Sequence, residues 1–375
     1  MRIGLNLLHA HPAIGGGWNY IKNIVCALQE LDDLNQYTVY CNDSSKSLIK
    51  KKDNFHITSV PIDGRNRVER IFWENTLLQW RAKVDKIDAM HWFANTCAIY
   101  CTTPSIVTVH DLLAYQKPES YPFIQRIYVK LMLPLALKKA NIITPVSHTT
   151  LNDILNRFTV NFKKMIVIPN IVADSFVPAP ISEIRKFRET YHLEKDFWLY
   201  VSHYYPHKNH DRLFEAYSIL KTRYNEVWPL VLCGSKNNKD ASIEKALNHY
   251  GISKDVVWLP RIEDKDMPVL YSAAKALIFP SLFEGGGIPV MEAMACGCPV
   301  AASDLPTTRE FAGNAAICFN PENTNSILKA MEKFHANKEV TSKYKLLGLE
   351  KANDFRKTRI ISKLLKTYKL AIQRI

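Results

Sequence analysis

Hydrophobic and polar positions along this chain of 375 residues follow two alternating patterns. Short apolar runs, typical of buried strands, are separated by longer segments whose apolar residues recur with helical spacing. Strands that alternate with helices predict a parallel sheet with right-handed crossovers. In the first half the predicted strands are 2–8, 37–41, 56–61, 89–93, 105–110, 142–146 and 165–168, and the predicted helices are 18–31, 67–83, 123–140 and 149–158.

The same alternation restarts in the second half. The predicted strands there are 198–202, 230–233, 256–259, 276–279, 300–302 and 316–319, and the predicted helices are 210–224, 241–250, 267–274, 292–295 and 324–335. Between the halves, segment 172–180 ends in Val177–Pro178–Ala179–Pro180 and predicts a linker, since each proline disfavours helix at the residue before it. The sequence thus predicts an α/β protein with two Rossmann-like parallel-sheet domains, 1–175 and 176–357. We expect them to face each other across a cleft, with ligands at the carboxyl ends of the strands.

Composition narrows the protein class. A hydrophobic share of 47% with 11% aromatic residues excludes a disordered chain. No apolar stretch reaches about 18 residues, and the run 1–8 is typical of a buried strand, so we expect neither a membrane span nor a signal peptide. The eight cysteines lack the Cys/His spacing of a zinc site, which predicts reduced, mostly buried thiols in a cytoplasmic protein.

The net charge of +13 is unevenly placed, because segment 338–375 holds eleven basic and three acidic residues. Such a bias favours a polyanionic partner, either an anionic membrane surface or a phosphorylated substrate. Nucleic acid is not expected, since no nucleic-acid-binding motif accompanies the charge. Segments 65–83 and 123–140 interleave basic and aromatic residues, which suits helices at a membrane interface or helices packed on the sheet with a solvated face.

The most informative segment is 279–304, FPSLFEGGGIPVMEAMACGCPVAASD. Glu284 follows a predicted strand, three glycines come next, and Glu292 lies eight positions after Glu284 in a predicted helix that opens near Val290. Glycines between a strand and a helix let backbone N–H groups approach an anion, and the helix N-terminus adds partial positive charge. The two carboxylates, one on either side of the glycines, can accept hydrogen bonds from hydroxyl groups of a ligand.

This segment resembles the E-x7-E signature of the family 4 retaining glycosyltransferases, with Glu284 and Glu292 at the two glutamate positions. The resemblance extends over nearly the whole chain. Gly15–Tyr20 resembles the glycine-rich loop that faces the donor diphosphate in this family, and Val201–Asn209 resembles the strand-end segment whose lysine binds that diphosphate. The other matching segments are Val109–Leu112 (VHDL), Ile143–Ser147 (resembling ITVS) and Pro260–Ile262, at the position of a loop that contacts the nucleotide base.

The resemblance implies the GT-B fold and a retaining, metal-independent hexosyl transfer from a nucleotide-diphosphate sugar. It implies His110, Lys208 and Glu284 as catalytic residues. The implied donor-binding residues are Gly16, Gly17, Ser202, His207, Lys208, Ile262, Glu284, Gly285, Gly286, Gly287, Ile288 and Glu292. A C-terminal helix, 358–375, is expected to pack back on the first domain, which would bind the acceptor. No metal or other cofactor is expected, and Asp264–Lys265–Asp266 is interpreted as helix capping and solvated charge.

Three residues depart from the family pattern. Ser202 replaces a glycine, Gly286 replaces a common phenylalanine, and His207 stands where arginine is common, so that His203 or His207 would supply a pH-dependent donor instead. The donor and acceptor therefore stay open. The basic surface and the general resemblance favour GDP-mannose and a glycan or undecaprenyl-linked acceptor in O-antigen or other lipopolysaccharide synthesis.

A transferase that uses a UDP-sugar is the alternative within the same class. A non-hydrolysing nucleotide-sugar epimerase and a non-catalytic GT-B binding scaffold are the alternatives outside it. We expect a cytoplasmic protein, peripheral at the inner face of the plasma membrane.

Overall fold

The structure is a computed structural model that describes residues 1–12, 16–120, 122–259 and 262–373. The chain forms two compact units. One comprises Met1–Ile171 together with Phe355–Ile375, and the other comprises Val172–Asp354. The boundary predicted from the sequence lies four residues later, between 175 and 176. Segment 172–180 lies in the second unit because it packs there: the Phe176 ring contacts Tyr271, and the Ala179 N–H donates to Ser272 Oγ.

Twelve strands are formed within the described ranges. Those of the first unit are β1 (Arg2–Leu7), β2 (Gln36–Cys41), β3 (Phe55–Ser59), β4 (Ala89–Trp92), β5 (Ser105–Val109) and β6 (Ile142–Pro145). Those of the second unit are β7 (Trp198–Val201), β8 (Leu230–Cys233), β9 (Val256–Leu259), β10 (Ala276–Phe279), β11 (Val300–Ser303) and β12 (Ala316–Phe319).

Helices separate almost all of these strands. In the first unit they are α1 (Gly16–Leu31), α2 (Asp43–Lys46), α3 (Arg67–Asn75), α4 (Leu77–Val84), α5 (Leu113–Gln116), α6 (Phe123–Lys139) and α7 (His148–Arg157). In the second unit they are α8 (Ile181–Thr190), α9 (His210–Arg223), α10 (Asp240–His249), α11 (Met267–Ala273), α12 (Ile288–Ala295), α13 (Pro306–Ala312), α14 (Thr324–Ala336) and α15 (Lys338–Ala352). The last helix, α16 (Lys357–Gln373), belongs to the first unit.

The first sheet is parallel, with strand order β3-β2-β1-β4-β5-β6. Helices cover both of its faces, and two clusters of buried apolar side chains fill the layers between helices and sheet. Because both faces are covered, every residue of β4 and β5 is buried, and buried residues do not alternate with exposed ones along these strands. Because β1, β4 and β5 are neighbours, the loops that follow them meet at one edge of the sheet.

The second sheet is also parallel, with strand order β12-β11-β10-β7-β8-β9. Its central strands β7 and β10 pair directly, with Trp198 beside Ala276 and Leu199 beside Leu277. The residues after β7 and those after β10 therefore emerge side by side. These are the two loops that carry Lys208 and Glu284.

The C-terminal helix α16 packs on the first sheet. Its apolar residues recur at helical spacing, and Ile360, Leu364 and Tyr368 are buried in the core of that unit. The Tyr368 hydroxyl lies 2.8 Å from His91 Nδ1, and His91 Nε2 lies 2.8 Å from Thr108 Oγ1. These bonds satisfy the buried imidazole and fix α16 against β4 and β5.

The structure corrects two element predictions. Segment 165–168 is not a strand, since its pairing is a single bridge between Met165 and Ile143. The helix predicted for 67–83 is broken at Thr76, whose backbone leaves the helical region and whose hydroxyl donates to the Phe72 carbonyl at 2.6 Å. Pro134 does not interrupt its helix, since it lies within the continuous helix α6.

Two predictions from composition can be compared with the structure. No helix in the described ranges is both long and apolar enough to cross a membrane. All eight cysteines are free thiols, and five of them are buried, whereas Cys318 is exposed.

Candidate active site

The loop after β7 is held in place by hydrogen bonds from its own neighbourhood. Asn209 adopts a left-handed conformation, with φ of 59°, between a short turn at Pro206–Lys208 and helix α9. Its side-chain N–H groups donate to the carbonyls of Pro280 (3.0 Å) and Pro321 (2.8 Å). The Tyr200 hydroxyl donates to the Lys208 carbonyl at 2.6 Å. The backbone of Lys208 is thereby fixed at the edge of the sheet.

The side chains of Lys208 and Glu284 form an ion pair, with Nζ 2.6 Å from Oε1. The two side chains are only 19% and 11% exposed, and the ammonium group also lies 5.7 Å from the centre of the Phe279 ring. A largely buried charge that loses its partner is strongly destabilised. Each of these two predicted catalytic residues therefore positions the other.

The glycine turn that follows Glu284 leads directly into helix α12. The Thr307 hydroxyl donates to the Glu284 carbonyl at 3.0 Å, which fixes the start of the turn. Gly287 is the N-cap residue, with φ of 54°, and the helix begins at Ile288, two positions before the predicted start near Val290. Gly285 and Gly286 directly precede this N-cap residue, and neither has a Cβ atom that would keep a ligand away from the backbone. Pro289 has no N–H, and the N–H groups of Val290 and Met291 donate to the Gly287 carbonyl, so Ile288 supplies the first N–H of this helix end. That N–H and the partial positive charge of the helix N-terminus can interact with an anion.

Replacing Gly287 with alanine tests whether this turn requires a glycine. A Cβ atom at Gly287 would lie 3.0 Å from Cδ2 of Phe311, whereas one at Gly251, which has a φ of 65°, would meet no atom within 4 Å. Both alanine variants carry the backbone cost of a residue with positive φ, about 1–2 kcal/mol. We expect Gly287→Ala to lower the free energy of unfolding more than Gly251→Ala and to weaken donor binding as well. Equal losses, measured by urea unfolding, would show that the Phe311 contact has no effect.

Glu292 is buried in helix α12, and its Oε2 accepts a hydrogen bond of 3.0 Å from the Tyr271 hydroxyl. Burial and the neighbouring Glu292 carboxylate raise the pKa of Tyr271 well above its ordinary value, so the phenol keeps its proton and donates. This bond orients the carboxylate. Tyr271 could not be recognised from the sequence, because its position in the apolar helix α11 gives no signal of a polar role.

The histidines near Lys208 differ in their surroundings. His203 Nδ1 accepts the backbone N–H of Ser235 at 2.9 Å, which leaves the proton of the neutral ring on Nε2. Burial, followed by the charge of Lys208, lowers the pKa of His203. His203 is therefore a neutral N–H donor near pH 7. The ring of His207 stacks on Tyr205 at 5.7 Å, and the Ser202 hydroxyl donates to the His203 carbonyl at 2.9 Å.

A glycine that sequence reasoning missed, Gly234, lies beside Ser202. Gly234 has a φ of 147°, and a Cβ atom there would lie 2.1 Å from the Ser202 carbonyl oxygen. Only glycine lets the ends of β7 and β8 approach this closely. The sequence does carry a signal for it, since Gly234 directly follows the predicted strand 230–233. Ile262, also predicted, is buried, whereas Gly15, Pro260 and Arg261 lie outside the described residues.

In the first unit, His110 lies at the end of β5. Its backbone N–H donates to Asn95 Oδ1, and its ring Nε2 lies 2.7 Å from the Phe93 carbonyl oxygen. A carbonyl only accepts, so Nε2 carries the proton and Nδ1 is the acceptor nitrogen. Burial lowers the pKa of His110, with the Phe93 carbonyl and Asp111 opposing that shift. The neutral ring can therefore accept a hydrogen bond from a hydroxyl group.

His110 and Gly17 line one cavity of about 190 Å³ in the first unit. Gly16 is the exposed first residue of α1, next to Gly17. The structure thus brings two sets of predicted residues together, one in each unit. Gly17 and His110 share the cavity, and Lys208, Glu284 and the glycine turn lie at neighbouring strand ends. The other residues that line the cavity are His9, Arg67, Arg70, Phe93, Ala94, Asn95, Thr96, Tyr128 and Val129.

Acidic residues near α11 differ from the prediction in one detail. Asp266 is the N-cap residue of α11, but its side chain makes no capping hydrogen bond, so a capping role for this carboxylate is wrong. Lys265 forms an exposed ion pair with Glu263. Within the described residues, no group of three or more His, Cys, Asp or Glu side chains could hold a metal ion. Metal independence remains a prediction.

Two family models match the chain in succession. The Glycosyltransferase Family 4 model matches residues 14–176, and the Glycosyl transferases group 1 model matches residues 182–350. The chain belongs to the family 4 glycosyltransferases. This assignment confirms the family predicted from the E-x7-E segment and establishes the protein as a glycosyltransferase.

Individual relatives are similar over different lengths. The chain is 26% identical over 353 residues to the O-antigen chain mannosyltransferase RfbU of Salmonella typhimurium, which covers 91% of this chain and 93% of that protein. It is 27% identical over 224 residues to the O-antigen chain mannosyltransferase B of Escherichia coli, which covers 60% of this chain and 59% of that protein. The structure of HepE from Anabaena in complex with UDP and glucose superposes with a TM-score of 0.78 at 16% identity, over 98% of this chain and 99% of that one. This likeness confirms the predicted GT-B fold.

Proposed function

We propose that this glycosyltransferase transfers mannose, with retention of configuration, from GDP-mannose to a glycan or undecaprenyl-linked acceptor in O-antigen synthesis. The observation that carries the proposal is the largely buried Lys208–Glu284 ion pair, followed by the glycine turn at the N-terminus of α12. The choice of mannose is supported by the names of the Salmonella typhimurium and Escherichia coli relatives.

The chemistry of the second unit suits a nucleotide-diphosphate leaving group. The Lys208 ammonium, the Ile288 N–H and the positive end of the α12 dipole stabilise the charge that develops on the diphosphate as the glycosidic bond breaks. Glu284 accepts hydrogen bonds from sugar hydroxyls, and Glu292, oriented by Tyr271, accepts them from the ribose. In the proposed reaction the first unit supplies His110, whose Nδ1 accepts a hydrogen bond from the transferred sugar.

Retention and metal independence are part of the proposal, and both rest on family membership. In a front-face reaction the departing diphosphate accepts the proton of the acceptor hydroxyl, so the protein needs to supply no nucleophile. The charges of Lys208 and the α12 N-terminus would take the place of a divalent cation. Full turnover in the presence of EDTA is the expected result.

Thermal unfolding with a panel of nucleotide sugars tests the donor. A ligand that binds the native state raises its stability by mass action, by about 2.7 kcal/mol at a concentration 100 times the Kd. We expect GDP-mannose to raise the midpoint, with or without Mg²⁺, and dTDP- and ADP-sugars to leave it unchanged. A shift with UDP-sugars alone would establish the alternative donor, and no shift with any nucleotide would favour the scaffold.

A transferase is distinguished from an epimerase by its need for an acceptor. A non-hydrolysing epimerase converts its nucleotide sugar when no acceptor is present. We expect GDP-mannose incubated with the protein alone to remain GDP-mannose. Conversion to a second nucleotide sugar would contradict the proposal.

We also propose that the protein is cytoplasmic and binds the inner face of the plasma membrane through its first unit. On α6, the exposed apolar residues Phe123, Ile124 and Leu131 alternate with Arg126 and Lys130. An anionic interface attracts each basic residue by about 1 kcal/mol. Replacing the three apolar residues with serine should reduce binding to anionic vesicles at least tenfold, measured by co-sedimentation. Leu346→Ser, an exposed leucine of the second unit, is the control, and an equal loss in both variants would contradict this proposal.

A further inference from the structure

The cavity that contains His110 holds polar groups that the proposed transfer does not use. His9 lies beyond the end of β1, Arg67 and Arg70 lie on α3, and Tyr128 lies on α6. All four line the cavity together with His110. A ligand that fills the space beside His110 would therefore meet two guanidinium groups, a phenol and a second imidazole.

The spacing of residues on α3 places its charges on one face. Arg67, Arg70 and Glu74 are three and four positions apart, so they follow one another along the same side of the helix. Arg70 Nε lies 3.9 Å from Glu74 Oε1, with side chains 11% and 7% exposed. Oε1 of Glu74 also accepts a hydrogen bond of 2.9 Å from Asn6 Nδ2. The cavity is thus lined by two guanidinium groups, and the carboxylate beside them, Glu74, pairs with Arg70.

Two buried nitrogen atoms of this cluster lack a hydrogen bond. His9 is only 7% exposed, and neither its Nδ1 nor Arg70 Nε has a hydrogen-bond partner among the described residues. A buried polar atom without a partner costs about 1–3 kcal/mol. Burial, and then the charge of Arg70, lowers the pKa of His9, so its ring is neutral and can place its proton on Nδ1. Both nitrogens are then donors without an acceptor in the described wall of the cavity, which favours a ligand that carries negative charge.

The phenol of Tyr128 adds a donor on the opposite helix. Burial raises its pKa, and Glu74 adds to that shift, while Thr96 and Arg70 oppose it. The hydroxyl therefore keeps its proton at neutral pH. Hydrogen-bond donors from the loop after β1, from α3 and from α6 therefore line the same cavity. Several donors around one space are the arrangement that proteins use to hold an oxyanion.

The same two helices also expose large apolar side chains to solvent. Val68 and Phe72 of α3 are 79% and 61% exposed, and Ile124 and Leu131 of α6 are exposed as well. Exposed apolar patches mark surfaces that contact a partner or a lipid. A basic cavity flanked by such residues suits a ligand with an anionic head and a hydrocarbon chain.

We propose that this cavity binds a phosphoryl group of the acceptor, held by His9, Arg67, Arg70 and Tyr128. The exposed side chains of α3 and α6 contact the hydrocarbon that is attached to this group. This assignment rests on the proposed function, since it identifies the acceptor class of the same reaction. It makes Arg67 and Arg70 determinants of acceptor specificity rather than of donor binding.

Calorimetric titration with three probes tests the assignment: inorganic phosphate, farnesyl phosphate and farnesol. GDP is present throughout, so that the donor site is occupied. We expect farnesyl phosphate to bind more tightly than the other two probes. Arg67→Gln should raise its Kd at least tenfold, whereas Lys83→Gln, an exposed basic residue of α4 that does not line the cavity, should leave it unchanged. Equal affinity for farnesyl phosphate in both variants would overturn the assignment.

Further variants separate the two parts of the ligand. Phe72→Ser should weaken farnesyl phosphate binding and leave phosphate binding unchanged. The double substitution Arg70→Gln with Glu74→Gln removes both members of the ion pair, so neither charge is left buried alone, and it should weaken both phosphorylated probes. Tight binding of farnesol would instead assign the surface to hydrocarbon alone and overturn the phosphoryl site.

GDP-mannose titrated without GDP distinguishes this assignment from the proposed function. Arg67→Gln should bind GDP-mannose as the wild-type protein does. A parallel loss of GDP-mannose affinity would show that the cavity belongs to the donor site, which overturns the acceptor assignment. A wild-type protein that binds farnesyl phosphate through Arg67 but fails to bind GDP-mannose would refute the proposed donor and leave the phosphoryl site standing.

Discussion

Replacing Lys208 with alanine should lower kcat by a factor of about 10²–10³, the usual cost of removing one group that stabilises developing negative charge. Lys208 has two roles that the substitution removes together. Its ammonium would face the departing diphosphate, and it forms the 2.6 Å ion pair with Glu284. Because stabilisation of the leaving group matters most in the transition state, we expect kcat to fall more than KM changes. Steady-state transfer of mannose is the measurement.

Lys236, which lies in the loop after β8, provides a matched control for Lys208. Lys236 forms an exposed ion pair with Asp240, one turn apart, so Lys236→Ala removes the same charge without affecting a buried partner. Its kcat should be that of the wild-type protein. A double variant, Lys208→Ala with Glu284→Gln, should lose much less than the product of the two single losses, since the residues act as a pair. A loss under tenfold in Lys208→Ala would contradict its placement at the diphosphate.

Acid should destabilise the protein well above the pH at which carboxylates titrate. Burial lowers the pKa of His91 and of His210 to about 3, with His110 adding to the shift at His91 and Lys208 at His210. Below the unfolded-state pKa of about 6.5 the unfolded chain binds a proton that the folded chain rejects, so stability falls as the pH falls. Each histidine contributes about 1.4 kcal/mol per pH unit, or about 2 kcal/mol between pH 6.5 and pH 5. Urea unfolding at these two pH values measures the loss.

His210→Phe isolates the contribution of one histidine. The His210 ring lies among aromatic side chains, stacked on Trp258 at 5.9 Å, and its Nδ1 has no hydrogen-bond partner in the described ranges. Phenylalanine can therefore replace it at pH 7.5 with little loss of stability, and the variant should lose about 2 kcal/mol less than wild type on acidification. His249→Phe is the control, because His249 is an exposed residue of α10. An identical pH dependence in wild type and His210→Phe would refute the explanation.

The sequence was sufficient where local pattern and chemistry coincide. Short apolar runs predicted both sheets, because strands buried on both faces carry little else. The spacing of Glu284, the glycines and Glu292 predicted the turn into α12, since few other structures require this set of residues. The break at Thr76 was missed because it depends on a side-chain bond to Phe72 within an otherwise helical pattern.

Long-range contacts were beyond the sequence. Lys208 and Glu284 are separated by 76 positions, and only the direct pairing of β7 with β10 brings them together. Tyr271 orients Glu292 from another helix, and no pattern in α11 indicates this role. The basic cavity of the first unit likewise needs β1, α3 and α6 in place. The basic and aromatic residues of α3 and α6 were noted from the sequence, but their division into an inner charged side and an outer apolar side was not.

The most direct test of the central claim is the product formed from GDP-mannose labelled with ¹³C at C1. The label is followed by NMR with a lipid-linked glycan acceptor and EDTA present. We predict a mannoside with the same α configuration as the donor, formed by the wild-type protein and about 10²–10³ times more slowly by Lys208→Ala. A β-mannoside, or free mannose with no dependence on the acceptor, would contradict a retaining mannosyltransferase.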